Sequence, residues 1–273
     1  MAKTMWNAVV AGGAAAVFTA MAAVPAGAAE GGASFSRVSF NGGKPIVIGV
    51  QEVVEVHGTF RMTTTRQFDY GPTVYPYRGS LEGGDSLWTL ITTSDCRPVA
   101  KGTCDFEEWL EIDPRHVDFG NEDVGTWKTA AEISYVGDDY DKDDMNIPIQ
   151  VQRATRVTVN AAPEPVTFGK TVTVTGKVTR ANWDTHTYQG YAGRTVSLQF
   201  KADGASSYKT VKKVTSSSTG ALKTTVKATE SGTWRWNYYG NSTAGAKAST
   251  GDHVVVSSGV RVMHGPRVMH AAR

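Results

Sequence analysis

The sequence predicts an all-β protein of two tandem β-sandwich domains, and three observations carry that expectation. Apolar residues recur at period two and almost never at helical spacing. A segment near residue 125 is repeated near residue 232. The charge, a net +2 over 273 residues, divides by position. Residues 29–152 carry 21 acids and 10 bases, and residues 153–273 carry 5 acids and 17 bases. An acidic module followed by a basic one suggests different partners for the two, or attraction between them.

The alternation is clearest after residue 153. In KTVTVTGKVTR, Val172, Val174 and Val178 face one way, and Thr171, Thr173, Thr175 and Lys177 the other. TVSLQFK points Val196, Leu198 and Phe200 inward, and LKTTVKAT does the same with Leu222 and Val226. Short strands of this kind, separated by Gly, Ser and Asn, indicate sandwiches. In the repeat, DVGTWKTAAEISYVGDD (123–139) aligns with ESGTWRWNYYGNS (230–242). Each copy gives an acid, Gly-Thr-Trp, an alternating strand, an aromatic residue, a glycine and a polar loop.

The order along the chain follows. Residues 1–28 read as a signal peptide: Lys3, an apolar run from Ala8 to Val24, Pro25, then Ala26-Gly27-Ala28 as an A-x-A cleavage site. A membrane anchor is the alternative, but the run is short and rich in glycine for spanning, and no later stretch is apolar enough, so the mature chain is expected to have no membrane span. The acidic sandwich is placed at 35–152 and the basic one at 153–259, with a stiff joint because RVTVN follows the last strand of the first almost directly. Pro163-Glu164-Pro165 then interrupts pairing. Residues 29–34 and the tail 260–273 read as disordered. The only cysteines, Cys96 and Cys104, read as a disulfide pinching a loop, worth about 2–3 kcal/mol at most; a redox pair or metal ligands are the alternatives.

The repeated acid-x-Gly-x-aromatic segment resembles the start of strand F in immunoglobulin-like domains. Trp127 and Trp234 stand where a tyrosine is usual, and neither strand has the cysteine of an antibody-type inter-sheet disulfide. The second half, NAAPEPVTFGKTVTVTGKVTRANW through GTWRWNYYGNSTAGAKASTGDHVVV, is similar to secreted actinobacterial proteins with tandem immunoglobulin-like domains, some labelled calcium-binding. The resemblance implies an immunoglobulin-like fold and secretion. It carries no ligand residues with it.

Candidate sites follow from residue chemistry. GDDYDKDDMN sets Asp139, Asp141 and Asp143 at the D-x-D-x-D spacing that opens a calcium loop, with Asp138, Asp144 and Asn146 as further oxygen donors. A helix-loop-helix site is excluded, because its glycine position holds Asp144 and its bidentate glutamate position holds Gln150. An irregular Ca²⁺ loop at the tip between strands F and G remains, and so does a merely solvated turn. A second acidic stretch, Asp113 to Asp123 with His116, falls at the opposite end. In the basic half, Lys209, Lys212, Lys213, Lys223 and Lys227 lie on consecutive predicted strands, as a face for an anionic polymer or as ordinary edge protection. Trp183, Tyr188 and Tyr191 form an aromatic loop able to stack on sugar rings, or to cap the sandwich.

No motif for catalysis is present: GxSxG, HExxH and the P-loop are all missing. His57 reads as a surface residue, and His186 and His253 as lacking paired acids. Met263, His264, Met269 and His270 are soft ligands for copper in an otherwise unstructured tail. The sequence therefore predicts a secreted, non-enzymatic adhesion-type binding protein with a possible calcium loop. The competing reading is a cell-wall or polysaccharide-binding protein using the lysine face and the aromatic loop. A hydrolase accessory or inhibitor is a third, without positive sign. The expected partners are a wall or matrix polymer or another surface protein, and not nucleic acid, since nothing reads bases.

Overall fold

The computed structural model describes residues 32–258, apart from 70–71, 88–89, 117–118 and 138. The expected signal peptide and the tail at 260–273, with its methionines and histidines, lie outside the described residues, as does Asp138. Among the described residues every regular element is a strand except two short 3₁₀ turns, and no helix is long and apolar enough to cross a membrane.

The first eleven strands are β1 (Ser34–Phe40), β2 (Ile46–Ile48), β3 (Val54–Thr63), β4 (Thr73–Arg78), β5 (Asp85–Ser86) and β6 (Leu90–Thr93), then β7 (Arg97–Ala100), β8 (Thr103–Ile112), β9 (Gly125–Tyr135), β10 (Asp139–Asp144) and β11 (Ile149–Arg153). One sheet runs β1-β3-β8-β6, with β7 also on β8; the other runs β2-β11-β9-β4-β5, with β10 also on β9. This is the immunoglobulin-like order, A-B-E-D facing G-F-C. After Ala154 come β12 (Thr155–Ala162), β13 (Val166–Thr167), β14 (Thr171–Asn182), β15 (Thr187–Gly190), β16 (Thr195–Ala202) and β17 (Lys209–Thr215). The chain ends with β18 (Ala221–Lys227), β19 (Gly232–Tyr238), β20 (Lys247–Ala248), β21 (Asp252–Val254) and β22 (Val256–Ser257). Here β12-β14-β15, with β18 on β14, faces β17-β16-β19-β20, with β21 on β19.

Period-two patterning decides which residues enter the cores. Val172, Val174, Val178, Val196, Leu198 and Leu222 are all buried, as the alternation requires. Both glycines of the repeated Gly-Thr-Trp have a backbone reason. Gly125 has φ 127°, outside the range of most side chains. A Cβ on Gly232 would lie 2.4 Å from the Lys201 carbonyl oxygen. Trp127 makes the corner bond after all, its indole N–H donating to the Asp123 carbonyl at 2.8 Å. Trp234 packs instead on Phe200, with ring centres 4.4 Å apart. Where an inter-sheet disulfide would sit in the second sandwich, Trp236 is fully buried and donates to the Thr175 carbonyl at 3.0 Å. The disulfide that does form joins Cys96 to Cys104 across the β7–β8 hairpin.

The cores are not independent. The hydrophobic cluster of the first sandwich includes Ala181 and Trp183, which belong to the end of β14 and the turn after it. Trp183 is fully buried, 4.5 Å from the Phe119 ring, and its indole N–H donates to the Gly49 carbonyl at 2.8 Å. A polar seam surrounds this plug. Asn121 donates from its backbone N–H to Asp184 at 2.8 Å and from its side chain to Asn182 at 2.9 Å and to Asp184. Its side-chain oxygen accepts from Arg153 and from the Trp183 N–H. Gln150 and Gln152 donate to the Ser242 and Asn241 carbonyls at 2.6 and 2.7 Å, and Arg153 pairs its backbone with Thr243 and Gly245. Burial lowers the Arg153 pKa to about 10.

One core position breaks the apolar row. On β8, Phe106, Leu110 and Ile112 point inward, and the same alternation carries Glu108 in with them, fully buried. Its carboxyl bridges the two sheets, accepting from the Val74 N–H at 2.9 Å and the Thr73 hydroxyl at 2.7 Å, while Oε1 is unpartnered. Burial pushes its pKa up to about 8, against the pull of those bonds. A raised carboxyl pKa means the folded state holds the proton more tightly than the unfolded one. Its stabilising effect is complete below about pH 4.5 and is lost as pH rises through about 8. Urea melts should therefore show stability falling between pH 5 and 8 by up to about 1.4 kcal/mol per pH unit from this residue. Glu108→Gln should flatten that slope and raise stability at pH 8; an unchanged slope would show the carboxyl to be ionised in the fold.

Candidate interaction surfaces

The acidic stretch is a strand and not a curling loop. β10 lies antiparallel on β9, with Asp139 opposite Tyr135, Asp141 opposite Ile133 and Asp143 opposite Ala131. Between the two strands the described turn residues are Val136 and Gly137. The period-two rise of a strand separates Asp139, Asp141 and Asp143 along one face, where a calcium loop would curl them round one centre. Three of the carboxylates have protein partners. Asp139 accepts from Arg66 at 2.7 Å and is held below the usual carboxylate range by it. Asp141 accepts from the Tyr135 hydroxyl at 2.5 Å and the Ala33 N–H at 3.1 Å. Asp144 accepts from Lys128 at 2.8 Å and from the Asn146 N–H at 2.8 Å. Burial pushes Asp144 up, but Lys128, Tyr77 and that N–H outweigh it and leave it low. Asp143 is raised, by burial first and then by Asp141. No group of three or more His, Cys, Asp or Glu side chains among the described residues is placed to hold a metal ion.

On the other face of the hairpin, Tyr140 stands 54% exposed and Val136 at the turn 57%. Beside them is an open concavity of about 440 Å³ that includes Asp69, Glu82, Glu132, Asp139 and Lys142. Lys142 reaches Glu132 at 3.5 Å. Tyr140 itself lines this concavity and its hydroxyl donates to Glu82 at 3.4 Å, so the hairpin presents an aromatic ring in an acidic setting.

Of the polar side chains in the second acidic stretch, Asn121 reaches the joint, while Asp113 pairs with Arg115 within the first sandwich. Asp123 is fully buried, accepting from Arg78 at 2.8 Å and the Gly120 N–H at 2.9 Å, and Asn121 is the hub of the seam. The aromatic loop also turns inward, which corrects the sugar-stacking expectation. Trp183 is the plug and Tyr191 is 8% exposed. Tyr191 has Arg180 and Arg194 over its ring at 4.2 and 4.8 Å, and Tyr188 has Arg156 at 3.8 Å. None of the three offers a free face. Sequence reasoning missed the reason: Trp183 serves the neighbouring core, and no periodicity reports a contact between sandwiches.

The five lysines are exposed, but they form two rims and not one face. Lys209, Lys212 and Lys213 lie on β17, the edge of one sheet, and Lys223 and Lys227 on β18, the edge of the opposite sheet. None of the five has an acidic partner among the described residues. Between the rims opens a groove of about 360 Å³ lined by Phe200, Val211, Val226 and Trp234, with Lys227 and Glu230 at its lip. Two histidines have carboxylate neighbours. His57 meets Glu107 at 3.2 Å, and His253 meets Asp203 at 3.0 Å, where the sequence suggested no paired acid. Both pairs are about half exposed and lie outside the two concavities.

No protein-family model and no curated protein sequence matches the chain. Among solved structures it is similar to the D00-D0 domain of intimin, at 14% identity and a TM-score of 0.27, covering 80% of this chain and 99% of that one. It is similar to the teleost fish polymeric Ig receptor ectodomain at 13% identity and 0.25, over 82% and 100% of the two chains. Mouse nectin-like molecule 4 gives 11% and 0.24, over 82% and 65%. At these scores and identities the fold assignment rests on the sheet order itself.

Proposed function

We propose that this chain is an extracellular, non-enzymatic binding protein of adhesion type. The lysine-bearing rims of its second sandwich hold an anionic partner, a cell-wall or matrix polymer. One observation carries the reading: five exposed lysines without acidic partners line two neighbouring edge strands. Charges left unneutralised on a rigid frame raise the local concentration of a polyanion and speed its capture. Edge lysines also discourage indiscriminate strand pairing, so the same residues serve solubility. The leader-like N-terminus and the disulfide suit an oxidising compartment. Retention of the full chain on immobilised acidic polysaccharide should be strong at low salt and lost by about 0.5 M NaCl. Lys212→Glu with Lys223→Glu should abolish it without changing the melting temperature by more than about 2 °C. Salt-independent retention, or retention that survives both changes, would refute this role for the rims.

A second reading concerns the hairpin. Asp141 and Asp143 share one face of β10, and the Asp143 carboxyl is raised by burial and by its neighbour. A divalent cation relieves that repulsion, so Ca²⁺ at this pair is the remaining form of the calcium proposal. Millimolar Ca²⁺ should then raise the melting temperature, and Asp143→Asn should remove the rise while leaving the Arg66–Asp139 pair intact. An identical melt with and without EDTA, together with no binding heat, dismisses the ion.

A further inference from the structure

We propose that the β9–β10 hairpin of one molecule docks in the groove between β17 and β18 of a second copy, joining molecules head to tail. This rests on the binding reading above and names another copy of this chain as an occupant of the lysine-bearing rims.

The two surfaces complement each other in both charge and polarity. The hairpin offers the ring of Tyr140, 54% exposed with its hydroxyl donating to Glu82 at 3.4 Å, and Val136 at its turn. Around them stand Asp69, Glu82, Glu132 and Asp139, against Lys142 and Arg66 as local cations. The groove offers Phe200, Val211, Val226 and Trp234 as its floor, room for an aromatic ring, and Val211 itself is 50% exposed. Its lip carries Lys227, with Lys209, Lys212 and Lys213 along the adjoining strand and Glu230 as the opposing acid. A tyrosine anchor entering an apolar pocket, with charged groups kept to the rim, is the usual composition of an interface hot spot. The strands also match in reach. β10 has six residues and β17 has seven, about 20 Å each at strand rise.

The same charges dictate the symmetry. Hairpin against hairpin sets carboxylates on carboxylates, and rim against rim sets lysines on lysines, so an isologous dimer is disfavoured. Closure within one chain is not observed: the rim lysines pair with no carboxylate among the described residues, and the joint seam fixes the two halves. A heterologous contact that does not close leaves each end free for a further copy.

Sedimentation velocity tests this on the full chain and on the same chain begun at Ala29. At 50 mM NaCl the mean mass should climb steadily with concentration, without a dimer plateau, and should return to monomer at 0.5 M. Tyr140→Ala should weaken association about tenfold or more, as loss of an interface anchor does. Lys212→Glu with Lys227→Glu should have the same effect. Mixing those two variants, each monomeric alone, should give capped heterodimers, because one retains the hairpin and the other the groove. A wild-type chain that stays monomeric at low salt, a discrete dimer plateau, or a mixture that fails to associate would each overturn the proposal. Tyr140→Ala should keep its retention on acidic polysaccharide. Loss of polymer retention with intact self-association removes the polymer reading alone, and the converse removes only this one.

Discussion

The burial of one indole from the second sandwich inside the core of the first governs the rest of the structure. Trp183 leaves the end of β14, fills the space beside Phe119 and gives its N–H to the Gly49 carbonyl. A side chain of this size fully removed from water contributes on the order of 3–5 kcal/mol against its truncation. Its seam of Asn121, Asn182, Asp184 and Arg153 supplies direction where the indole supplies affinity. Linkage through a single residue, Ala154, would allow two sandwiches to swing. The plug and seam convert that link into a fixed angle.

Fixed halves give the charge split its use. Were the joint loose, the acidic hairpin and the lysine rims could meet and cancel within one molecule. Held apart, they present opposite charge at separate sites, so both stay open to other molecules. The edge strands are where this matters, because an unpaired edge invites another chain, and charge decides which chain. In this molecule the sheet edges carry the unpaired charge, and the sheet faces carry stability.

The fold was legible in the sequence because strand alternation is a local signal. Val172 to Val178 and the two Gly-Thr-Trp segments needed no tertiary information. The acidic hairpin is less legible for an equally local reason. DYDKDD alternates like a strand, but its aspartates suggested a turn, and cross-strand pairing with β9 prevailed. For Trp183 and Tyr191 the sequence leaves open sugar stacking or capping of the sandwich, because a loop flanked by polar residues gives no sign of which core it enters; both are buried. Glu108 gives a fainter sign. Its position in the inward row between Phe106 and Leu110 was the available signal. The lysines were found by number, but their division between two sheets depends on strand order, which no single strand reveals.

Through Trp183 the two sandwiches should melt as one cooperative unit. Differential scanning calorimetry of the wild-type chain and of Trp183→Ala tests it most directly. The wild type should show one transition, with calorimetric and van't Hoff enthalpies in agreement, and the variant should separate into two. Two transitions in the wild type, at temperatures that Trp183→Ala leaves in place, would contradict it.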